Sequence, residues 1–378
     1  MSGFLPDWAR AAPEEPDYDE VVVIEDVAEI ETVRQRVLGD SAPVAAILFT
    51  AIYAGEAEDA GGTNKAVTAL ADALRGEDPA SATVRSLAFE NAFLPRTAYP
   101  SLLNALMPGL TILDVSGAGS SELGGLHPEI LTRCVLEPLR AGRLRLQALS
   151  LSNIGAYWPA LPEAVAVAPS LLSLRLISDG VCDDQGEQVP VADTAQLIQL
   201  VQAGCAGGLV SLELRAVGGR DKRAVCIALA DELRTNSTLM HVDLAETELG
   251  VPGVGNDGLT ALVEVLEDPA CLSVLSKVNL GTDDNFDELD EGMVHRLALR
   301  LGLRHSARVI QRAATTESGS ALLPHLLEIV CAYAAEPRGL PYQDVDERTP
   351  WDDRFDSAGW VPARPEGGQL YDYQHVAP

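Results

Sequence analysis

The sequence predicts an α/β fold in which repeated strands and helices stack as a solenoid, with a parallel sheet on the concave face and helices on the convex face. One observation is a short sequence motif with apolar residues at positions one, four and six. Its copies begin at Val84, Leu110, Leu146, Leu171, Leu209, Leu239 and Leu275, with a weaker copy at Val44. Such a strand can bury its apolar residues only against neighbouring repeats, which predicts a stacked array.

Segments with helical periodicity separate these strands. They are Ala66 to Arg75, Tyr99 to Met107, Pro128 to Leu139, Ala192 to Cys205, Arg223 to Leu233 and Leu259 to Leu266. In the fifth of them, Val225, Cys226, Leu229 and Leu233 lie on or beside one face, as expected for a helix packed on a sheet. Successive strand starts are 40, 26, 36, 25, 38, 30 and 36 residues apart, so several repeats carry insertions.

The two ends of the array need to be closed, because a terminal repeat would otherwise expose its apolar face. Residues 1–40 are predicted to form an acidic arm and cap, in which Val21 to Ile24 is a capping strand. We expect the solenoid itself to occupy residues 41–284 and a helical cap, with helices at Met293 to Leu303 and Ala321 to Tyr333, to occupy 285–336. Residues 337–378 are predicted to be an irregular tail rich in proline and aromatic residues.

Charge and composition restrict the function. The net charge of −29 opposes binding to a phosphate backbone, so we expect no nucleic-acid partner and favour a basic protein. No apolar run approaches the ~18 residues of a membrane span, and the first ten residues do not resemble a signal peptide, so a cytoplasmic protein without membrane contact is expected. The six scattered cysteines are predicted to be buried thiols rather than disulfides or zinc ligands.

One stretch carries a specific resemblance. The residues that carry it are Leu233, Arg234, Asn236, Leu239, Val242, Asp243, Leu244, Leu249 and Gly258. This pattern resembles the leucine-rich repeat of the ribonuclease-inhibitor type, which implies an α/β horseshoe that binds other proteins. That family places Asn or Cys at the ninth strand position to bond the turn backbone, whereas the positions here are Ala92, Ala118, Ile154, Asp179, Val217, Thr247 and Asp283. The repeats therefore resemble that type irregularly.

Motifs for catalysis or metal binding are incomplete. Asp283, Asn285 and Asp287 imitate the start of an EF-hand loop, but Glu288 replaces the required Gly and Val294 the bidentate Glu. The glycines at 117, 119, 124 and 125 lack phosphate-loop spacing, and the six histidines lack metal-ligand spacing. We therefore predict a protein that is not an enzyme and needs no metal or cofactor.

The predicted partner-binding residues lie on the strands at positions three, five and seven, which point away from the helices. They are Arg175, Glu213, Arg215, His241, Asp243 and Lys277. Alternating charges of this kind are interpreted either as the footprint of a partner or as neutral pairing between strands. His241 and Asp243 alone are read as two exposed polar residues or as a pH-sensitive or catalytic pair.

The C-terminal tail offers a second kind of contact. Trp351, Trp360, Tyr371 and Tyr373 lie in a stretch too polar to form its own core, so they are expected to dock on the repeats or to anchor a partner. The leading functional prediction is a non-enzymatic scaffold that binds a protein on the concave sheet. The alternative is a regulator of another enzyme, resembling the leucine-rich repeat activators of the Ran GTPase.

Overall fold

The computed structural model describes the chain from Val21 to Gly302 with gaps. The described residues are 21–39, 44–50, 52, 57–75, 84–90, 92–107, 109–118, 126–152, 160–177, 193–215, 222–244, 254–279, 290, 292–294 and 296–302. Strands and helices alternate, the strands are parallel, and their order in the sheet follows their order in the sequence. The chain divides into two compact units between Ala148 and Leu149, near the start of one strand.

In its described residues, the first unit contains four complete strands that alternate with helices. These elements are β1 (Val21–Ile24), α1 (Val27–Leu38), β2 (Ala46–Thr50), α2 (Ala57–Leu74), β3 (Ser86–Glu90), α3 (Ala98–Leu106), β4 (Ile112–Asp114), α4 (Pro128–Leu131), a wide helical turn (Thr132–Leu136) and α5 (Glu137–Arg140). Asp26 caps α1 by accepting a hydrogen bond from the Glu29 amide at 2.9 Å, which satisfies one of the helix's unpaired N–H groups.

The register between neighbouring strands aligns the copies of the repeated motif in this unit. Ile47, Leu87 and Leu113, all at position four, are paired side by side and are fully buried. At position six, the rings of Phe49 and Phe89 stack with centroids 5.3 Å apart, and Phe89 meets Tyr99 of α3 edge-on at 5.2 Å. Positions four and six therefore face the helices, where burial of aromatic rings stabilises the fold.

The second unit continues the alternation after β5 (Ala148–Ser152), which contains the division. Its elements are α6 (Ala160–Val167), β6 (Ser173–Ile177), α7 (Thr194–Gly207), β7 (Ser211–Arg215), α8 (Lys222–Leu233), β8 (His241–Asp243), α9 (Gly255–Glu267) and β9 (Lys277–Asn279). A capping box between Asp193 and Gln196 begins α7, and Gly208, with φ of 83°, ends it in the left-handed conformation that glycine adopts without strain.

The second unit repeats the register of the first. Leu174, Leu212 and Val242, at position four, are aligned across β6 to β8 and fully buried. At position six, Leu214 and Leu244 line a small apolar cavity together with side chains of α7 and α8. Here too, positions four and six face the helices.

The strand predictions and the capping strand are confirmed, as are the six predicted helices, with boundaries that shift by a few residues and by nine at the start of α2. Among the described helices, two were missed. In α1, part of the predicted acidic arm, Ile30, Val33 and Val37 form a narrow buried stripe among many charges. The helix α6 was missed because prolines at 159 and 162 interrupt the helical pattern of the sequence.

The described residues of 292–294 and 296–302 are helical, as predicted for the first cap helix. The expected helix at Ala321 to Tyr333 and the tail 337–378 lie outside the described residues. The parallel sheet with alternating helices confirms the α/β part of the predicted fold class, while the horseshoe solenoid and the four-part division of the chain stay predictions.

Candidate functional site

The candidate site is the sheet face of the second unit that points away from the helices. Because side chains alternate along a strand, positions three, five and seven share this face. Register places Arg175, Glu213 and Asp243, all at position five, beside one another. A neighbouring row at position three contains Ser211, His241 and Lys277, and the two rows together form the polar sheet face.

An ion pair links the first two residues of the position-five row. Arg175 Nε lies 3.4 Å from Glu213 Oε2, and the side chains are 22% and 1% exposed respectively. Asp243, next in the row, is also 1% exposed. Removing a carboxylate from water costs several kcal/mol unless a charge or hydrogen bonds compensate, so the contact with Arg175 stabilises the buried charge of Glu213.

The position-three row contains a contact between a hydroxyl and an imidazole. Ser211 Oγ and His241 Nδ1 lie 3.1 Å apart, and Lys277 is the register partner of His241 on the next strand. A serine beside a histidine is the pairing that activates nucleophiles. Ser211 is only 1% exposed, however, so a substrate cannot reach its hydroxyl in this conformation. The geometry favours a hydrogen bond that fixes the imidazole ring.

The structure places the six predicted contact residues as follows. Arg175, Glu213 and Asp243 share one row and His241 and Lys277 the adjacent one, while Arg215 is in register with Ile177 and its side chain lies outside the described residues. The expectation that this face is openly exposed is wrong for Glu213 and Asp243, although Arg175, His241 and Lys277 are partly exposed. Neighbouring strands only ~4.8 Å apart allow a long side chain such as that of Arg175 to contact the shorter Glu213 beside it. Whether these residues bind a partner stays a prediction.

Two further polar residues are central to the second unit. Asn236 accepts hydrogen bonds from the amides of Thr238 (3.1 Å) and Leu239 (2.8 Å) and donates to the Cys205 carbonyl at 3.2 Å. It thereby joins the segment before β8 to the end of α7. Its place in the Leu-Arg-x-Asn-x-x-Leu pattern was visible in the sequence.

Lys222 was missed by sequence reasoning. It is buried, and its Nζ donates to the Leu244 carbonyl at the end of β8 at 2.8 Å. Its aliphatic stem lines the apolar cavity with Leu197, Leu214 and Val225. A lysine directly before an apolar helix resembles a solvated residue in sequence, so no pattern indicated its burial.

The corresponding face of the first unit has different chemistry. Ala46, Leu48, Ala88, Ile112 and Ala148 form a cluster that we call the apolar sheet patch, and each is at most 8% exposed. At its carboxyl end lie Glu90 and Asp114. Burial raises the pKa of Glu90, a hydrogen bond from Thr50 lowers it, and the negative charge of Asp114 raises it.

A tyrosine side chain forms hydrogen bonds with the backbone of a turn in the first unit. Tyr99 donates its hydroxyl hydrogen to the Ala92 carbonyl at 2.8 Å and accepts from the Leu94 amide at 3.2 Å. Ala92 occupies the ninth position, where the resembled family uses Asn or Cys. In this repeat, a helix residue satisfies the turn backbone instead.

Metal and thiol chemistry can be assessed only for the described residues. Among them, no group of three or more His, Cys, Asp or Glu residues could hold a metal ion. The four described cysteines are free thiols. Burial raises the pKa of Cys205 to about 12 and that of Cys226 further, and it also raises the pKa of Cys134, so little reactive thiolate forms at neutral pH.

Several predicted features lie outside the described residues. They are the acidic loop at 283–287, the glycines at 119, 124 and 125, and the aromatic tail. Within the described part, no helix has the length and apolar character needed to cross a membrane. No protein-family model matches the chain, and neither does any curated protein.

Proposed function

We propose that this protein is a non-enzymatic interaction scaffold, built from irregular leucine-rich repeats of the ribonuclease-inhibitor type, that binds a partner protein on the polar sheet face. The observation that carries this proposal is the register-aligned row of Arg175, Glu213 and Asp243. Three strands contribute a charged residue at the same position, on the side that the helices leave open. The alignment concentrates charge on rigid backbone, as a recognition surface requires.

The repeat assignment draws support from two kinds of contact. Apolar residues at positions one, four and six are buried in both units, so these three positions of the motif are core positions throughout the described strands. Asn236 bonds two backbone amides of its own turn and a carbonyl at the end of α7, one strand and one helix earlier in the chain. Such a contact between successive units is what a stacked repeat needs, because no repeat is stable alone.

The exposure of individual residues divides them into two roles. Arg175, His241 and Lys277 keep part of their side chains accessible and would touch the partner. Glu213 and Asp243 are buried and would hold the row in place. The net charge of −29 favours approach of a partner that is basic overall, while the three accessible cationic or titratable groups would contact carbonyl or carboxylate oxygens within its footprint.

The test compares two charge reversals in the full-length chain. Lys277→Glu changes the polar sheet face, whereas Arg223→Glu changes an exposed ion pair with Asp257 on the helix side of the same unit. A partner is first captured with the unaltered chain and identified, and its affinity for each variant is then measured by calorimetry. We expect Lys277→Glu to weaken binding about tenfold or more, equivalent to about 1.4 kcal/mol, and Arg223→Glu to change it less than about twofold.

Equal affinities for both variants, with unchanged melting temperatures, would count against the polar sheet face as the binding surface. The same preparation distinguishes the alternative function. If the captured partner is a GTPase, a stimulated rate of GTP hydrolysis would favour the regulator, and stoichiometric binding without a change in rate would favour the scaffold.

A further inference from the structure

The apolar sheet patch of the first unit is buried on the side of the sheet that its helices do not occupy. Leu48 and Ala88 are each 4% exposed and Ile112 is 5% exposed. The neighbouring residues along the strand, such as Phe89, point to the other side and contact α3. The patch therefore does not belong to the core between sheet and helices.

The strands next to Leu48 do not account for its burial. Its register partners are Val23 on β1, which is 39% exposed, and Ala88 on β3, whose side chain is one methyl group. Neither can shield a leucine that projects from the sheet. A group above the sheet has to remove Leu48 from water, and burial of apolar surface in this way is favourable.

The border of the patch indicates the charge of that group. Glu90 lies two residues after Ala88 on the same face, and Asp114 is the register partner of Ala88. Both carboxylates are half-buried. Asp114 Oδ1 accepts from the amide and hydroxyl of Ser116 at 2.9 and 2.6 Å, and neither donor is a cation. An occupant that combines apolar side chains with a cation fits this surface.

The chain itself contains such a segment. Residues 354–364 include Phe355 and Trp360, are bounded by Arg354 and Arg364, and contain a single acidic residue. The stretch between Gly302 and Arg354 could extend to roughly 170 Å, which is ample reach for any face of a protein of this size. By contrast, residues 1–20 carry six acids and one base, so Glu90 and Asp114 would repel them.

We propose that the C-terminal segment Arg354 to Arg364 docks in cis on the apolar sheet patch, with its aromatic rings over Leu48 and Ala88 and an arginine beside Asp114. The docked segment closes the sheet face of the first unit and leaves the polar sheet face as the surface for partners. This contact does not depend on the proposed partner, because it is made within one chain.

The experiment uses the full-length chain with Trp360 as its only tryptophan, the other three being replaced by phenylalanine. Docking predicts that acrylamide quenches Trp360 several-fold less than it does in the urea-unfolded chain. Ala88→Glu, which places a charge within the patch, should at least double the quenching constant. The matched control is Ile227→Glu, which places the same charge at a 38% exposed apolar residue of α8 and should leave quenching unchanged.

A second variant avoids any effect on folding. Arg354→Glu with Arg364→Glu alters only the tail and should release Trp360 to the same extent as Ala88→Glu. The proposal is overturned if Trp360 of the unaltered chain is already quenched as in urea, or if neither change releases it. It is also overturned if the shielding depends on protein concentration, which would place the segment on a second copy. Shielding of Trp8 rather than Trp360, in a chain with Trp8 alone, would assign the patch to the N-terminal arm.

Discussion

The two units are alike on the side of the sheet that faces the helices, but they differ chemically on the other side. On the helix side they are alike, since positions four and six are apolar and buried in both. On the other side, the first unit has Leu48 and Ala88 at position five of β2 and β3 and Asp114 at that position of β4, whereas the second unit has Arg175, Glu213 and Asp243. The repeat therefore fixes one side of the sheet, and the other side is free to vary.

This difference changes what each face needs. Apolar side chains in the first unit are stabilised by burial alone, because they have no hydrogen bonds to satisfy. A carboxylate buried in the second unit needs a partner, which Arg175 provides for Glu213. A face of the first kind fits a fixed covering segment, and a face of the second kind fits a partner that can match charges.

The largest expected effect tests the shared side. Leu87→Ala and Leu212→Ala remove equivalent, fully buried leucines at position four, one from each unit. Each should lower the free energy of unfolding by about 2–5 kcal/mol, measured by urea denaturation, since a cavity forms in a packed core. Leu272→Ala is the control, because Leu272 is 61% exposed and its loss should cost less than about 0.5 kcal/mol. A cost near that of the control in either unit would contradict a common core position.

An intermediate effect tests the differing side. Arg175→Ala leaves Glu213 without its ion-pair contact and should cost about 1–3 kcal/mol. The double change Arg175→Met with Glu213→Leu gives the second unit an apolar row like that of the first. It should restore the free energy of unfolding to within about 1 kcal/mol of the unaltered chain, because well-packed apolar residues can replace a buried ion pair.

Removal of the exposed ion pair between Arg223 and Asp257 provides the comparison. Arg223→Ala should cost at most about 1 kcal/mol, as is usual for surface ion pairs. If Arg175→Ala costs no more than this control, the contact with Glu213 does not stabilise the row.

The sequence predicted the side of each strand residue but not its burial. Alternation along a strand is local, so the apolar residues at positions four and six could be located from their spacing alone. The burial of Glu213 depends on Arg175, which lies 38 positions earlier in the sequence and meets it only through register. Periodicity contains no information about such a contact.

The missed features have the same origin. The burial of Lys222 accompanies a hydrogen bond from its Nζ to a carbonyl at the end of the next strand. Asn236 could be found because its motif is written within seven consecutive residues. Local patterns thus predicted the elements and the turn contact, whereas contacts between distant segments determined the faces.

The smallest expected effect concerns Glu90 of the first unit, which accepts a hydrogen bond from Thr50. In the second unit, by comparison, Glu213 is paired with Arg175. Burial raises the pKa of Glu90 above its ordinary value of 4.5, so the folded chain binds its proton more tightly than the unfolded chain. Stability from this group is therefore present below about pH 4.5 and declines as pH rises through the folded-state pKa. Solvent screening at a half-exposed carboxylate limits the decline to about 0.5 kcal/mol.

Glu90→Gln should remove this decline, and Asp114→Asn should reduce it, because the charge of Asp114 contributes to the raised pKa. The measurement is the free energy of unfolding of each variant relative to the unaltered chain between pH 4 and pH 7. A relative stability of Glu90→Gln that falls with increasing pH would mean that a cation stabilises ionised Glu90 in the folded chain. The two units would then resemble each other at this position, and an arginine from the docked segment 354–364 would be the first group to remove in a second series.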